Sequence, residues 1–183
     1  MKGTHGTCIT HADDIQKSGF TKSNIGHAGS GVYFWSYYDE EDLLGYATDL
    51  AIAWWKFRSK YNNYDKCDNK SCSIIHVQLE IKNGRFIDLE KHDVRGNKIL
   101  WINQVYSRLI KRDKRSRKAL SNAYDLYIKM LENKFQEEID IIHIAVKPPE
   151  GFESLIPAEI RGWPSCYVVR NLSCINILSN EVL

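Results

Sequence analysis

GTHGTC, residues 3–8, and GSGVYFW, residues 29–35, are the stretches on which the fold is read. The first sets His5 between Gly3 and Gly6 within residues 2–9, a short strand. The second is β-branched and aromatic, which predicts a short buried strand. Strand alternation puts Tyr33 on the face opposite Phe34, and Phe34 and Trp35 read as packing residues. Between the two strands a brief helix is expected. Thr10 serves as its N-cap, Asp13 and Asp14 favour its dipole, and Gly19 is its C′ stop. Residues 21–30, TKSNIGHAGS, are loop by composition. GHAGSG (26–31) precedes a strand instead of opening a helix, which excludes a phosphate loop and leaves a mobile flap over a pocket as the expectation.

Outward from these stretches, residues 39–60 carry Leu43, Ala47, Leu50, Ala51 and Trp54 at helical spacing. Residues 73–81 alternate, with Ile75, Val77, Leu79 and Ile81 on one face, which predicts a half-buried strand. The Asn-Gly of KNGR then predicts a hairpin that returns RFIDL onto that strand. Two helical patterns fill about 97–137, first Ile99, Leu100, Val105, Tyr106 and Leu109, then Ala123, Tyr124, Tyr127, Met130 and Leu131. Residues 139–146 return to strand, a proline-bracketed loop follows, and CYVVR and SCINIL close the chain as strands. His76 and His143 fall in strands and read as structural. The order β-α-β-α-β-β, a helical pair, then β-β-β defines an α+β fold with a largely antiparallel sheet. The expectation is one domain over 1–183 with a helical insertion at about 97–137.

A chain of 183 residues, 43% hydrophobic and 26% charged, has ordinary globular composition. Its formal charge of +2 is too small to imply a polyanion partner by itself. The five cysteines are odd in number and irregularly spaced. Nothing in sequence answers the Cys67/Cys72 pair, so they read as reduced thiols and no metal is expected. With no secretory or membrane-spanning signal, the expectation is a soluble cytoplasmic protein with no membrane partner.

At the pocket, Gly6 lets a ligand approach the backbone and offers an amide N–H and C=O. Thr7 adds a hydroxyl, His5 an imidazole and Tyr33 a flat aromatic face. That set suits a planar heteroaromatic carboxamide on a sugar, such as nicotinamide riboside.

HGT, then GF, then GSGVYF, followed by an Ala-rich helix, resembles the ADP-ribosyltransferases of the poly(ADP-ribose) polymerase-like, His-Tyr-Glu branch, which includes small bacterial toxins and phage-defence effectors. The resemblance covers residues 3–55 and returns at CYVVRNLSCINIL. It implies a split-sheet transferase core and an NAD-dependent mono-ADP-ribosyltransferase, with NAD as substrate and no metal. It implies that His5 holds the ribose 2′-hydroxyl, Gly6 pairs with the carboxamide and Tyr33 stacks on the nicotinamide ring. A second aromatic group from the following helix, Tyr46, Trp54 or Trp55, completes the slot beside Thr7. The family's catalytic Glu falls on Cys166 in this register, and Glu159 in IPAEIRG is the carboxylate assigned in its place. His5, Tyr33 and Glu159 are thus the expected catalytic residues. A toxin or defence role with an antitoxin or inhibitor protein as partner follows from the resemblance alone.

Two other readings stay open. One is an NAD- or ADP-ribose-binding module without turnover. The other is an RNA 2′-phosphotransferase-like enzyme, ranked lower because no set of further Arg and His residues lies near His5 in sequence. KRDKRSRK (111–118) concentrates positive charge between the two helices of the insertion. Arg112, Lys114, Arg115 and Arg117 there are expected to dock a polyanion, which favours RNA or single-stranded DNA over protein as acceptor. Tyr37, Tyr38 or Trp163 would supply base stacking.

Overall fold

A computed structural model describes residues 1–37, 41–112, 116–153 and 162–183. The strands are β1 (Lys2–Cys8), β2 (Val32–Tyr37), β3 (Cys72–Leu79), β4 (Arg85–Asp88), β5 (Ile139–Ala145), β6 (Ser165–Val169) and β7 (Ile175–Val182). The helices are α1 (Ile9–Ser18), α2 (Glu41–Lys60), α3 (His92–Arg112) and α4 (Ser116–Phe135). The fold is α+β, and the element order is the one the residue patterns predict. All seven strands join one sheet in the order β4-β5-β6-β2-β1-β3-β7. Every neighbouring pair is antiparallel except β4 with β5.

That parallel pair corrects the expected hairpin. β3 is already flanked by β1 and β7, so no edge remains for RFIDL beside it. The KNGR turn is held elsewhere: an Asp140 carboxylate oxygen accepts the backbone N–H of Lys82 at 3.2 Å, Asn83 at 3.3 Å and Gly84 at 2.9 Å. A Cβ on Gly84 would lie 2.7 Å from the Glu138 carbonyl oxygen, so only glycine lets the chain press this closely onto the approach to β5. β3 ends at Leu79, and Ile81 beyond it is exposed instead of sharing the buried face.

One sheet face is covered by α2 and by the α3–α4 pair. Ile102, Ala123, Tyr127, Ile128 and Leu131 bury against Ile87, Leu89, Ile142, Ile144 and Val168. The helical segment is therefore part of the core, and its exposed Ile99, Leu100 and (on α2) Leu43 do not belong to the packed stripes the spacing suggested. Helicity also begins earlier than expected, at His92. The opposite face carries Phe34, Ile75, Val77, Leu79, Ile141, Tyr167 and Val169 beneath Ala12 of α1 and Phe20.

α1 starts one residue before Thr10, and the residue at its N-cap position, Cys8, offers no side-chain hydrogen bond. Thr10 instead accepts the Asn69 backbone N–H at 2.9 Å and donates to the Asn69 carbonyl, tying the helix start to the loop before β3. Gly19 ends the helix with φ +78° and returns its N–H to the Ile15 carbonyl, as expected. No described helix is long and apolar enough to cross a membrane.

Candidate active site: a sheet that opens beside His5

β1 pairs with β3 along its whole length, from Lys2↔Gln78 to Cys8↔Cys72. With β2 it pairs only over Lys2↔Tyr37, Gly3↔Ser36 and Thr4↔Trp35. Beyond Thr4 the two strands part. The Met1 carbonyl accepts from the Leu79 N–H and the Ile9 N–H donates to Ser71, so odd-numbered residues of β1 turn their backbone groups to β3. Gly6, one of the even residues, therefore points its N–H and C=O at the β2 side, where the ladder has ended. On its other flank a Cβ would lie 1.9 Å from the Ala51 carbonyl oxygen, so α2 sits directly on the glycine.

The opening leads into a cavity of about 1050 Å³, whose walls include His5, Gly6, Thr7, Tyr33, Trp54 and Cys166. The His5 ring is half-buried, edge-on to Phe20 at 5.4 Å and to Phe34 at 5.8 Å. Its Nδ1 lies 2.9 Å from the Tyr33 carbonyl oxygen. A carbonyl only accepts, so Nδ1 carries the proton. Burial, then the Arg58 charge against the opposing Tyr33 hydrogen bond, lowers the pKa below its ordinary value, which favours the neutral ring. Nε2 then holds a lone pair that can accept from a hydroxyl.

Tyr33 has two functions, one of them unforeseen. Its ring lines the cavity, while its hydroxyl donates to the Gly29 carbonyl at 2.6 Å and accepts the Ala28 N–H at 2.9 Å. Burial raises the phenol's pKa and keeps it protonated. The expected mobile flap is thus a pinned loop. Ser121 accepts the Gly26 N–H at 3.1 Å, and Asp125 accepts both the N–H and the hydroxyl of Ser30 while pairing with Arg170 at 2.8 Å. Tyr33→Phe keeps the ring and removes the pin. It leaves a peptide N–H and a C=O unpaired and is expected to cost about 2–6 kcal/mol, at roughly 1–3 kcal/mol per buried group. Urea unfolding checks this, and a loss under about 1 kcal/mol would mean that water takes the hydroxyl's place.

Other expected residues fare differently. The Thr7 hydroxyl is engaged by the Tyr64 phenol. Tyr46 is not among the cavity-lining residues. It packs edge-on to Phe152, which is. Cys166 lines the cavity fully buried, and burial drives its thiol pKa upward, so it is a neutral group that cannot substitute for a carboxylate. Glu159 lies outside the described residues, as do Lys114, Arg115 and Tyr38 and the side chain of Arg112. Arg117 is described, is exposed, and lines the cavity. Of the remaining aromatic candidates Tyr37 is buried, whereas Trp163 is 64% exposed.

Residues scattered in sequence also converge here. His11, His27, Arg58, Arg117 and Lys147 all line the cavity, which corrects the expectation that no Arg and His set lies near His5. Arg58 sits one helical turn after Trp54 with its guanidinium 5.8 Å from that ring's centroid. That i, i+4 spacing was the one local signal that could have found it. His27 and Arg117 are close enough that, after burial, the Arg117 charge lowers the His27 pKa. Among described lining residues the carboxylates are Asp14 and Glu150, and Glu150 is paired with Lys60 at 2.7 Å. No family model, curated protein or solved structure matches the chain.

Proposed function

We propose that the chain is an NAD-dependent mono-ADP-ribosyltransferase that modifies a macromolecule. The observation that carries this reading is the opened ladder: Gly6 offers an amide donor and acceptor to a cavity shared with the His5 imidazole and the Tyr33 ring. A carboxamide bears one acceptor and one donor on a single plane and complements that edge. The His5 Nε2 lone pair suits a ribose hydroxyl. Arg58, Arg117 and Lys147 suit a diphosphate. The cavity of about 1050 Å³ lies just above the usual range for small-molecule clefts, roughly 300–1,000 Å³.

In the reaction the nicotinamide–ribose C–N bond breaks, with its electron pair leaving on neutral nicotinamide. An acceptor oxygen or nitrogen bonds to the same ribose carbon and releases its proton. Positive charge develops on the sugar meanwhile and requires a nearby anion. Glu159 is assigned that task, since Cys166 is neutral. Arg117 places the basic end of α4 at the cavity, which favours RNA or single-stranded DNA as acceptor. A cellular role as a toxin or phage-defence effector, restrained by an inhibitor protein, accords with such chemistry.

Incubation with labelled NAD and RNA, single-stranded DNA or protein is expected to release nicotinamide and add the mass of one ADP-ribose to the nucleic acid. Glu159→Gln should slow turnover at least about tenfold, or roughly 1.4 kcal/mol of barrier. Two alternatives have observations of their own. The neutral Cys166 favours a binder without turnover, recognised by NAD-dependent thermal stabilisation with no nicotinamide release. The convergence of His11, His27, Arg58 and Arg117 favours an RNA 2′-phosphotransferase, recognised by loss of a phosphate mass from a 2′-phosphorylated RNA.

A further inference from the structure

Cys8 closes β1, His11 lies in the first turn of α1, and Cys67 lies in the loop between α2 and β3. The Sγ atoms of the two cysteines and a ring nitrogen of His11 all fall within 4.8 Å of one another. Cys67 Sγ is 3.4 Å from His11 Nε2. Two ligands on one tetrahedral zinc, with Zn–S of about 2.3 Å and Zn–N of about 2.0–2.1 Å, stand roughly 3.6 Å apart. The trio is therefore at coordination spacing before any metal arrives.

We propose that Cys8, His11 and Cys67 bind one Zn²⁺, which ties the loop before β3 to the β1–α1 junction. Two sulfurs and an imidazole are a donor set that favours zinc over magnesium or calcium. Three protein ligands leave a fourth position for water. The three segments are held together independently of a metal. Ile9 N–H donates to Ser71, the Thr10 hydroxyl and Asn69 bond reciprocally, and the His11 ring meets Tyr64 edge-on at 5.5 Å. Such prior order lowers the entropic cost of gathering ligands. His11 and Tyr64 both line the cavity, so the metal would stand at its wall, two residues along β1 from Gly6.

This inference does not rest on the transferase reading. The test is equilibrium dialysis of the reduced, metal-free chain against Zn²⁺, with Co²⁺ as the spectroscopic probe. One Zn²⁺ per chain, thiolate-to-cobalt charge transfer with intense tetrahedral d–d bands, and a zinc-dependent rise in melting temperature are expected. Cys67→Ser and His11→Ala, both away from the fully buried core, should each weaken binding by more than about a hundredfold, because losing even the orienting partners of metal ligands costs about 10–100-fold. Binding well below one equivalent, equal affinity in either folded variant, or cobalt spectra lacking thiolate bands would overturn the proposal. A Cys8–Cys67 disulfide that forms in air, with no metal uptake after reduction, would overturn it as well.

Discussion

Gly6→Ala is expected to lower stability by at least about 3 kcal/mol. The added methyl would sit 1.9 Å from the Ala51 carbonyl oxygen and 2.6 Å from its carbon, both backbone atoms that no rotamer change can move aside. Overpacking a close-packed site costs typically about 1–3 kcal/mol, and a contact with backbone on both sides belongs at the top of that range or above. α2 must lift from β1, which also stretches the 2.8 Å hydrogen bond from the Thr4 hydroxyl to the Ala47 carbonyl. For a chain of this size the melting temperature should fall by roughly 6–12 °C, at about 2–4 °C per kcal/mol. On the proposed function, stabilisation by NAD should vanish with it, since the Gly6 amide edge is displaced. A variant that melts within about 2 °C of wild type would show that α2 is not seated on this glycine.

On the proposed function, His5→Ala is expected to reduce transferase kcat/KM by at least about a hundredfold, near 2.7 kcal/mol, while leaving a folded protein. The variant removes the Nε2 acceptor and the hydrogen bond to the Tyr33 carbonyl that holds the two opened strands together. Its pH behaviour carries a second signature. The folded-state pKa of His5 lies below the roughly 6.5 of a free imidazole. Above that value both folded and unfolded chains hold it neutral. As pH falls through it, the unfolded chain takes up a proton that the folded pocket refuses, so stability declines until the lowered folded pKa is also passed. Melting temperatures at neutral and mildly acid pH should therefore diverge in wild type and diverge less in His5→Ala. A residual decline from His27, whose pKa is lowered too, should remain. Unchanged turnover, or an identical acid decline in both proteins, would remove His5 from the site.

The sheet was legible because its strands carry local signals. GVYFW is β-branched and aromatic, and SIIHVQLEI alternates, so both strands were placed within one or two residues. The Asn-Gly turn misled because its partner is remote: Asp140 lies 56 residues from Gly84 and captures three amides that a hairpin would have turned elsewhere. That His5, Gly6 and Tyr33 border one cavity was legible because glycine and aromatic residues mark backbone approach and a flat wall. The pin between Tyr33 and residues 28–29 was not, since a phenol's hydrogen-bond partner leaves no trace in spacing. Arg117 was read as part of a charge run, and only the packing of α4 on the sheet brings it to the cavity. Cys8, His11 and Cys67 meet through β1–β3 pairing, which linear cysteine spacing cannot express.

The bonds from α4 to the loop before β2 bear on how this molecule can diversify. Ser121 and Asp125 hold Gly26 and Ser30 from the same helix that buries Ala123, Tyr127 and Ile128 against the sheet. An insert that only decorated a scaffold could be exchanged wholesale between lineages or trimmed by a protein engineer. Here, excising residues 92–135 would strip one wall of the central layer and cast loose the segment that shapes the cavity mouth.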